Sequence, residues 1–347
     1  MRLQALDLLR FIAALAVVFY HYLAEPNPSY PALAAIAQYG YLGVPLFFMI
    51  SGFVIAASAE RRNPVTFLIS RGARLYPAFW IGVLFTAGIS YTLSDSPPSI
   101  SDILINLTML NDYLGVKNID GVYWTLQVEL KFYACIFLLM LLKSFHRYNI
   151  WLPLWLILTL SNLTLGQPSK MGWFINPGYS CYFISGVCLY LIWDKKHTAI
   201  TNLTLVISSL LCIVQSFNQA PGFLPNSDIK QGLIAGLIVI FFHVIFLLIA
   251  LEKVALKPLA TYSTLGGITY PLYLLHNHSG KLIIDELSNV VPSGLAIVIT
   301  TAMMLCLSYL VFRYLEPGGS RIFRECMQSL FSRLERLASM PIKNQKT

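Results

Sequence analysis

The chain is poor in charged residues: Asp, Glu, Lys and Arg make up only 12% of its 347 residues, whereas apolar residues make up 56%. An average soluble domain is about a quarter charged. A soluble enzyme of this length would have too much surface to cover with so few charges, and disordered chains and coiled coils are more polar still. The composition therefore excludes these classes and indicates a polytopic membrane protein.

Cysteine is also sparse, and its placement is uninformative. Five of the six cysteines lie within apolar stretches, the sixth is Cys326 in the C-terminal tail, and no CxxC pair occurs. Neither a disulfide framework, a zinc ribbon nor a thiol redox motif is therefore indicated. The cysteines are expected to be small buried hydrophobes.

Long apolar runs are what the sequence has instead. A helix that crosses a bilayer needs about 20 mostly apolar residues, and ten segments approach or reach this length. They predict an all-α membrane helix bundle with about ten transmembrane helices. The predicted spans are residues 8–24, 41–59, 75–93, 127–142, 150–165, 173–193, 199–217, 232–251, 259–278 and 291–314. They define a transmembrane domain of residues 1–316 and a tail of residues 317–347.

Basic residues, which favour cytoplasmic loops, predict the orientation. The connection after the second span carries Arg61, Arg62, Arg71 and Arg74, and each later even-numbered connection carries two basic residues, whereas the odd-numbered connections carry at most one lysine. This alternation predicts that both termini are cytoplasmic. The tail after Pro317 is basic and has apolar residues at helical spacing, which predicts an amphipathic helix on the inner leaflet.

The longest outer connection, residues 94–124, contains Asp95, Asp102, Asp112 and Asp120. It is too short for a separate domain. It could form a lid or partly re-enter the membrane.

Ionisable residues inside spans are costly and usually face a protein interior or a water-filled cavity. Arg10 and His21 both lie in the first span. They are eleven residues apart, close to three helical turns, so both face the same side and are separated along the helix by roughly 16 Å. Snorkelling of Arg10 and packing of His21 are the alternatives, but the shared face favours a functional role.

Arg71 and Arg74 precede the third span and share a helix face because they are three residues apart. Planar guanidinium groups match phosphate geometry, so the pair could hold a phosphorylated cofactor on the cytoplasmic side. Taken alone, the pair is better explained as an anchor on the positive inner side of the membrane.

Two further ionisable residues are predicted near the outer ends of their spans. Glu129 could orient an imidazole or bind a sugar hydroxyl, or it could be an exposed member of an aromatic belt. His276 closes the ninth span. His276 and His278 lack acidic or cysteine partners in the surrounding sequence, so no metal is expected. Arg10, Arg71 and Arg74 thus form an inner level, and His21, Glu129 and His276 an outer one.

These residues occur in motifs that resemble the acyltransferase-3 family of integral-membrane O-acyltransferases, and the resemblance covers about residues 6–316. Each motif alone is weak, but their order is specific. Pro271 and Asn277 depart from the family pattern near the last motif. The motifs are Arg10 with His21, GxxGVxLFFxISGF at 40–53, Arg71 with Arg74, WTLxxExxFY at 124–133, and YxLH at 273–276.

The resemblance implies a membrane O-acyltransferase of the bacterial cytoplasmic membrane. Its donor would be acyl-CoA, most often acetyl-CoA. Its acceptor would be a carbohydrate hydroxyl, for example in O-antigen, exopolysaccharide, peptidoglycan or a lipid-linked glycan. Membrane lipids are the other expected partners, and no nucleic acid is expected.

On this interpretation His21 removes the proton from the acceptor hydroxyl, or forms an acyl-histidine. Arg71 and Arg74 grip CoA phosphates, and Arg10 attracts a phosphate or positions the pantetheine arm. Glu129 orients His21 or binds the acceptor.

Trp124, Tyr133 and His276 are predicted to bind the acceptor. A transporter or flippase without acyl-transfer chemistry would also place charges in spans beside Gly and Pro. Such a protein often carries inverted repeats or paired broken helices, and the sequence has no such symmetry. A catalytically silent membrane scaffold is the third alternative.

Overall fold

The computed structural model describes residues 4–24, 29–165, 174–224, 228–254, 256–257 and 259–338. Within these ranges the chain folds into helices joined by turns, and no β-strand occurs. The all-α prediction is therefore confirmed. The helices are α1 (Gln4–Leu23), α2 (Pro31–Ala37), α3 (Gly43–Glu60), α4 (Pro64–Leu93), α5 (Ile100–Asn106), α6 (Trp124–Leu141), α7 (Tyr148–Leu165), α8 (Pro177–Trp193), α9 (Ala199–Phe223), α10 (Ile229–Ala250), α11 (Ala260–Leu275), α12 (His278–Ser288), α13 (Ser293–Leu310) and α14 (Glu316–Ala338).

Eight helical stretches of the described chain are long and apolar enough to cross a membrane. They correspond to eight of the ten predicted spans. The remaining two predicted spans are α8 and α11, which are shorter, with 17 and 16 residues, at the lower limit of about 17 residues for a membrane-spanning helix. Trp173, the predicted start of the sixth span, lies outside the described residues.

Helices α3 and α8 cross closely in the interior of the bundle. A Cβ atom on Gly52 of α3 would overlap the carbonyl group of Phe183, and one on Gly186 of α8 would overlap that of Met49. Residues 180–191 of α8 are buried without interruption, so this helix faces protein on every side. Small residues let backbones approach each other in membrane bundles, where packing rather than water drives association.

We expect the variant Gly186→Ala to lower the stability of the bundle by about 1–3 kcal/mol, because the added methyl group has no space and must push α3 away. Thermal unfolding of the purified protein in detergent measures this loss. Gly88→Ala in α4 is the matched control, since a Cβ atom there meets open space. Equal melting temperatures for the two variants would contradict the close crossing.

The connection between α4 and α6 folds back along α4, and its place within the membrane or over it as a lid stays a prediction. The Tyr76 hydroxyl and the Trp80 indole of α4 donate to the carbonyls of Thr108 (3.1 Å) and Leu107 (3.0 Å). Tyr76 lies 17 residues before the end of α4 at Leu93, which corresponds to about 25 Å of helix. The connection therefore runs back along α4 for much of its length.

Two buried asparagines satisfy the irregular backbone of this connection, as an apolar surrounding requires. The amide nitrogen of Asn106 donates to the carbonyl of Lys117 (3.0 Å), and its oxygen accepts from the Ile119 amide (3.1 Å). The amide oxygen of Asn111 accepts from Gln127 of α6 (3.1 Å). The segment is thereby tied to the helix that follows it.

The predicted boundary after Glu316 coincides with no break in the helix. A π-helical turn, Val311–Leu315, joins α13 to α14 without a gap, and Pro317 follows this turn, where its missing N–H removes one helical hydrogen bond. The start of α14 packs on α4: Ser320 donates to the carbonyl of Ala73 (2.7 Å), and Phe323 stacks on Tyr76 with ring centroids 5.8 Å apart.

Further along α14 the apolar stripe is open. Leu330 is 48% and Leu334 50% exposed. Placement of this stripe in the inner leaflet stays a prediction, and residues 339–347 of the tail lie outside the described residues.

Candidate active site

A cavity of about 730 Å³ lies among α1, α3, α4, α6 and α11. Its volume is within the usual range for a small-molecule site. We call it the arginine cavity because its lining is rich in positive charge, which suits an anionic ligand. Five arginines and two carboxylates line it: Arg10, Arg61, Arg62, Arg71, Arg74, Asp7 and Glu129.

Arg71 has a buried guanidinium nitrogen without a hydrogen-bond partner among the described residues. This nitrogen is Nε, whereas the Nη2 atom donates to Ser70 at 3.3 Å. A buried cation without a paired anion is unfavourable. Arg71 is therefore suited to receive an anionic group of a ligand in the cavity.

Arg10 enters the same cavity from α1 and is held by Asp7, one helical turn earlier. The carboxylate of Asp7 is 3.7 Å from Arg10 Nη1 and is almost fully buried. Gly266 of α11 allows this arrangement, because a Cβ atom there would overlap the Asp7 carboxylate. The sequence interpretation missed Asp7, although its position three residues before Arg10 places both on one helix face.

Arg74 also lines the arginine cavity, but it already has a partner. Its Nη1 atom donates to the carboxylate of Glu316 at 3.0 Å, which links α4 to the start of α14. Of the two predicted phosphate ligands, Arg71 is thus the freer one. Arg74 contributes charge to the cavity while it also anchors α14.

Glu129 lies in the arginine cavity and not beside His21, so the predicted orienting role is corrected. Its Oε1 atom accepts from Ser51 of α3 (2.7 Å) and from Tyr133 of α6 (2.6 Å). Helix α6 begins at Trp124 rather than at Gln127, which places Glu129 about 7.5 Å inside the helix. Glu129 therefore does not belong to the outer level that the sequence predicted.

Tyr133 contributes to the same cavity, and its predicted role in binding the acceptor stays a prediction. Its hydroxyl is used by Glu129 and it lines the arginine cavity. Ser51 of α3 is the second donor to this carboxylate.

A second cavity of about 280 Å³ contains His21. We call it the histidine cavity. Trp124, which is predicted to bind the acceptor, lines this cavity, and that role stays a prediction. The polar side chains around the cavity can donate to or accept from a hydroxyl-bearing ligand. Its lining includes Tyr20, Tyr41, Tyr179, Ser216, Gln219, Asn277 and Lys281.

His21 and His276 form a hydrogen-bonded pair: His21 Nδ1 lies 2.9 Å from His276 Nε2. The other ring nitrogen of His276, Nδ1, is 2.9 Å from the carbonyl oxygen of Tyr273 and 3.1 Å from that of Leu272. Carbonyl oxygens only accept, so His276 Nδ1 carries a hydrogen, and in the neutral ring Nε2 is then the acceptor. His21 must then donate from Nδ1, which leaves its Nε2 atom unprotonated and able to act as a base.

The place of His276 corrects its predicted role in binding the acceptor. Its side chain is fully buried and does not line the histidine cavity. His276 instead selects the tautomer of His21 and holds its ring. The hydroxyl of Tyr22 in α1 donates to the backbone carbonyl of His276 at 2.7 Å, which fixes the two helices beside the pair.

The turn after His276 is held by Asp120, which lies in the connection between α4 and α6. Its carboxylate accepts from the side-chain amide of Asn277 (2.6 Å) and from the backbone amide of His278 (2.8 Å). Asn277, which departs from the family pattern, thus has a defined structural partner. The sequence gave no means of pairing these residues, because they lie about 157 positions apart.

The sequence of this chain is similar to those of known proteins. The family model described as an acyltransferase domain matches residues 3–313. A protein named as an acetyltransferase, ORF330 of Acidianus two-tailed virus, is 25% identical over 324 residues, which are 89% of this chain and 92% of the viral protein.

Two other relatives are similar over shorter ranges. The exopolysaccharide production protein ExoZ of Rhizobium meliloti (strain 1021) is 24% identical over 272 residues, covering 74% of this chain and 80% of ExoZ. The O-acetyl transferase of Shigella phage Sf6 is 29% identical over 140 residues, covering 35% of this chain and 41% of that protein. No solved structure matches the chain.

Proposed function

This chain belongs to the acyltransferase family, and we propose that it transfers an acetyl group from cytoplasmic acetyl-CoA to a hydroxyl of a cell-surface carbohydrate. The observation that carries the proposal is the pair of cavities, one lined by arginines and the other containing a histidine with a free basic nitrogen. Family membership favours acyl transfer over the transport function that the sequence left open. The acetyl and carbohydrate assignments are supported by the names of the acetyltransferase and exopolysaccharide relatives.

The arginine cavity is the donor site in this proposal. The phosphates of acetyl-CoA would meet Arg71, Arg61 and Arg62, and guanidinium groups match phosphate oxygens in charge and geometry. The thioester end would extend past Arg10 toward the histidine cavity. Arg10 and His21 share one face of α1 at a separation of roughly 16 Å, so an extended donor can lie along that helix.

The histidine cavity is the acceptor site. The acceptor hydroxyl would donate its hydrogen to His21 Nε2 while its oxygen attacks the thioester carbonyl. The new C–O bond forms as the C–S bond breaks, and the imidazolium returns the proton to the departing thiolate. The products are the acetyl ester and CoA with a free thiol, and the histidine pair is restored.

Purified protein incubated with acetyl-labelled acetyl-CoA and a panel of bacterial surface glycans tests the function. We expect label on a glycan that mild alkali releases, which identifies an O-acetyl ester and separates it from an alkali-stable amide. Failure to label any glycan, together with thiol release at the background rate, would overturn the proposal.

Sidedness needs its own test, because the cytoplasmic position of both termini is part of the proposal. Acetyl-CoA does not cross a bilayer, so inverted membrane vesicles should use added donor and right-side-out vesicles should not. Use of added donor by right-side-out vesicles alone would reverse the proposed orientation.

We expect His276→Ala to lower kcat by about 10- to 100-fold, because His21 loses the acceptor that selects its tautomer and its donor is left unsatisfied. The KM for acetyl-CoA should change little, since the arginine cavity is untouched. His276→Gln should recover part of the rate, because a side-chain amide oxygen can accept from His21 Nδ1. Steady-state kinetics of both variants measure these effects, and equal losses in the two variants would contradict the positioning role.

A further inference from the structure

The arginine and histidine cavities share two lining residues, Val44 of α3 and Tyr273 of α11. Both residues have one surface on each cavity. They therefore form the wall between the two cavities, where the donor carbonyl and the acceptor hydroxyl must meet. We call Val44 and Tyr273 the septum.

Tyr273 is a firmly held part of this wall. Its hydroxyl lies 2.9 Å from Thr125 Oγ1, and Thr125 in turn lies 2.9 Å from the carbonyl of Val122. Because the carbonyl can only accept, Thr125 donates to it and Tyr273 donates to Thr125. The ring also packs edge-on against Phe47, with centroids 5.8 Å apart.

The septum is adjacent to the hydrogen-bonded pair of His21 and His276. The ring centroid of Tyr273 is 5.7 Å from that of His276, which in turn bonds His21. A donor in the arginine cavity can meet a hydroxyl held by His21 only if its thioester carbonyl reaches the septum. The acyl group attached to that carbonyl must then fit against Val44 and the Tyr273 ring.

We propose that Val44 and Tyr273 determine the length of the acyl group that is transferred, limiting it to a short chain such as acetyl. This inference rests on the proposed function and adds the specificity-determining residues. One extra methylene group in a tight apolar pocket changes specificity by roughly 10- to 200-fold. A rigid wall formed by Val44 and the hydrogen-bonded Tyr273 can exclude the extra methylene groups of a longer acyl chain and so impose this loss of specificity for longer donors.

The test compares kcat/KM for acetyl-, propionyl- and butyryl-CoA, using the glycan that takes label from acetyl-CoA as the acceptor. We expect the parent protein to prefer acetyl-CoA and Val44→Ala to raise the butyryl-to-acetyl ratio by at least about tenfold. Val54→Ala is the matched control, since Val54 is a valine on the same helix that lines only the arginine cavity. Its chain-length ratio should stay that of the parent.

The reverse change gives an independent readout. Val44→Ile adds one methylene group to the wall and should lower acetyl transfer while abolishing propionyl transfer. It also decides the question if Val44→Ala fails to fold. A folded Val44→Ala variant that is inactive with every donor counts against the septum, because a wider passage still admits an acetyl group.

The failure of this inference is distinguishable from failure of the proposed function. A parent protein that transfers no acetyl group overturns the proposed function itself. A parent that transfers acetyl groups, with Val44 variants of unchanged chain-length preference, overturns only the septum.

Discussion

Replacing His21 by alanine is expected to lower the rate of acetyl transfer by about 10²- to 10⁴-fold, the usual contribution of a general base. The hydrogen bond from His21 Nδ1 to His276 leaves the Nε2 atom of His21 unprotonated. Alanine removes this base altogether. Single-turnover transfer from labelled acetyl-CoA measures the loss directly. The affinity for acetyl-CoA should stay near that of the parent, since Arg10 and Arg71 are unchanged.

His243→Ala is the matched control for this experiment. His243 is also a partly buried histidine within a helix, with Nδ1 2.9 Å from the carbonyl of Val239, but it lines neither the arginine nor the histidine cavity. Its replacement should leave transfer close to the parent rate. Parent-like transfer by a folded His21→Ala variant would remove His21 from the chemistry.

His21→Gln adds a finer comparison. Its amide can still donate to His276 Nε2 and can keep the packing, but it cannot take a proton. We expect it to be as inactive as His21→Ala. Kinetics of the parent reaction then separate the two roles that the sequence left open for His21. An acyl-histidine gives ping-pong kinetics and exchange of label between acetyl-CoA and free CoA without any glycan, and a general base gives neither.

Much of the architecture follows from the apolar runs and from helix periodicity. The shared face of Arg10 and His21 depends only on their spacing along one helix, and the structure places them in two successive cavities. Glu129 shows the limit of such reasoning: its depth depends on where α6 begins, and the helix begins three residues before the predicted span, so that Glu129 lies deeper than predicted. Helix boundaries are set by tertiary contacts that a single sequence does not reveal.

The pairing of His21 with His276 could not be derived from local patterns, because 255 positions separate the two residues. The same holds for the septum, since Val44 and Tyr273 look like ordinary packing residues at their places in the sequence. Such contacts arise only when α1, α3 and α11 are brought together. Asp7 is the residue that could have been found, because it precedes Arg10 by one turn of the same helix.

The second large effect is expected at Arg71. Arg71→Gln should raise the KM for acetyl-CoA by about 10- to 150-fold, which corresponds to the loss of one charge-assisted hydrogen bond of about 1.5–3 kcal/mol. The value of kcat at saturating donor should change much less, because the phosphates bind equally in the ground and transition states. Steady-state kinetics over a wide range of acetyl-CoA concentrations separate the two parameters.

Stability provides a second measurement that does not depend on turnover. Arg71 is half-buried, and its buried Nε atom has no hydrogen-bond partner among the described residues, so its removal should not lower the melting temperature of the free protein, and relief of a poorly paired charge can raise it. The stabilisation that CoA adds should shrink in Arg71→Gln, because ligand-induced stabilisation follows affinity. Arg147→Gln removes the same charge outside the arginine cavity and should leave CoA-induced stabilisation unchanged. A donor KM within twofold of the parent in Arg71→Gln would show that the phosphates do not bind at Arg71.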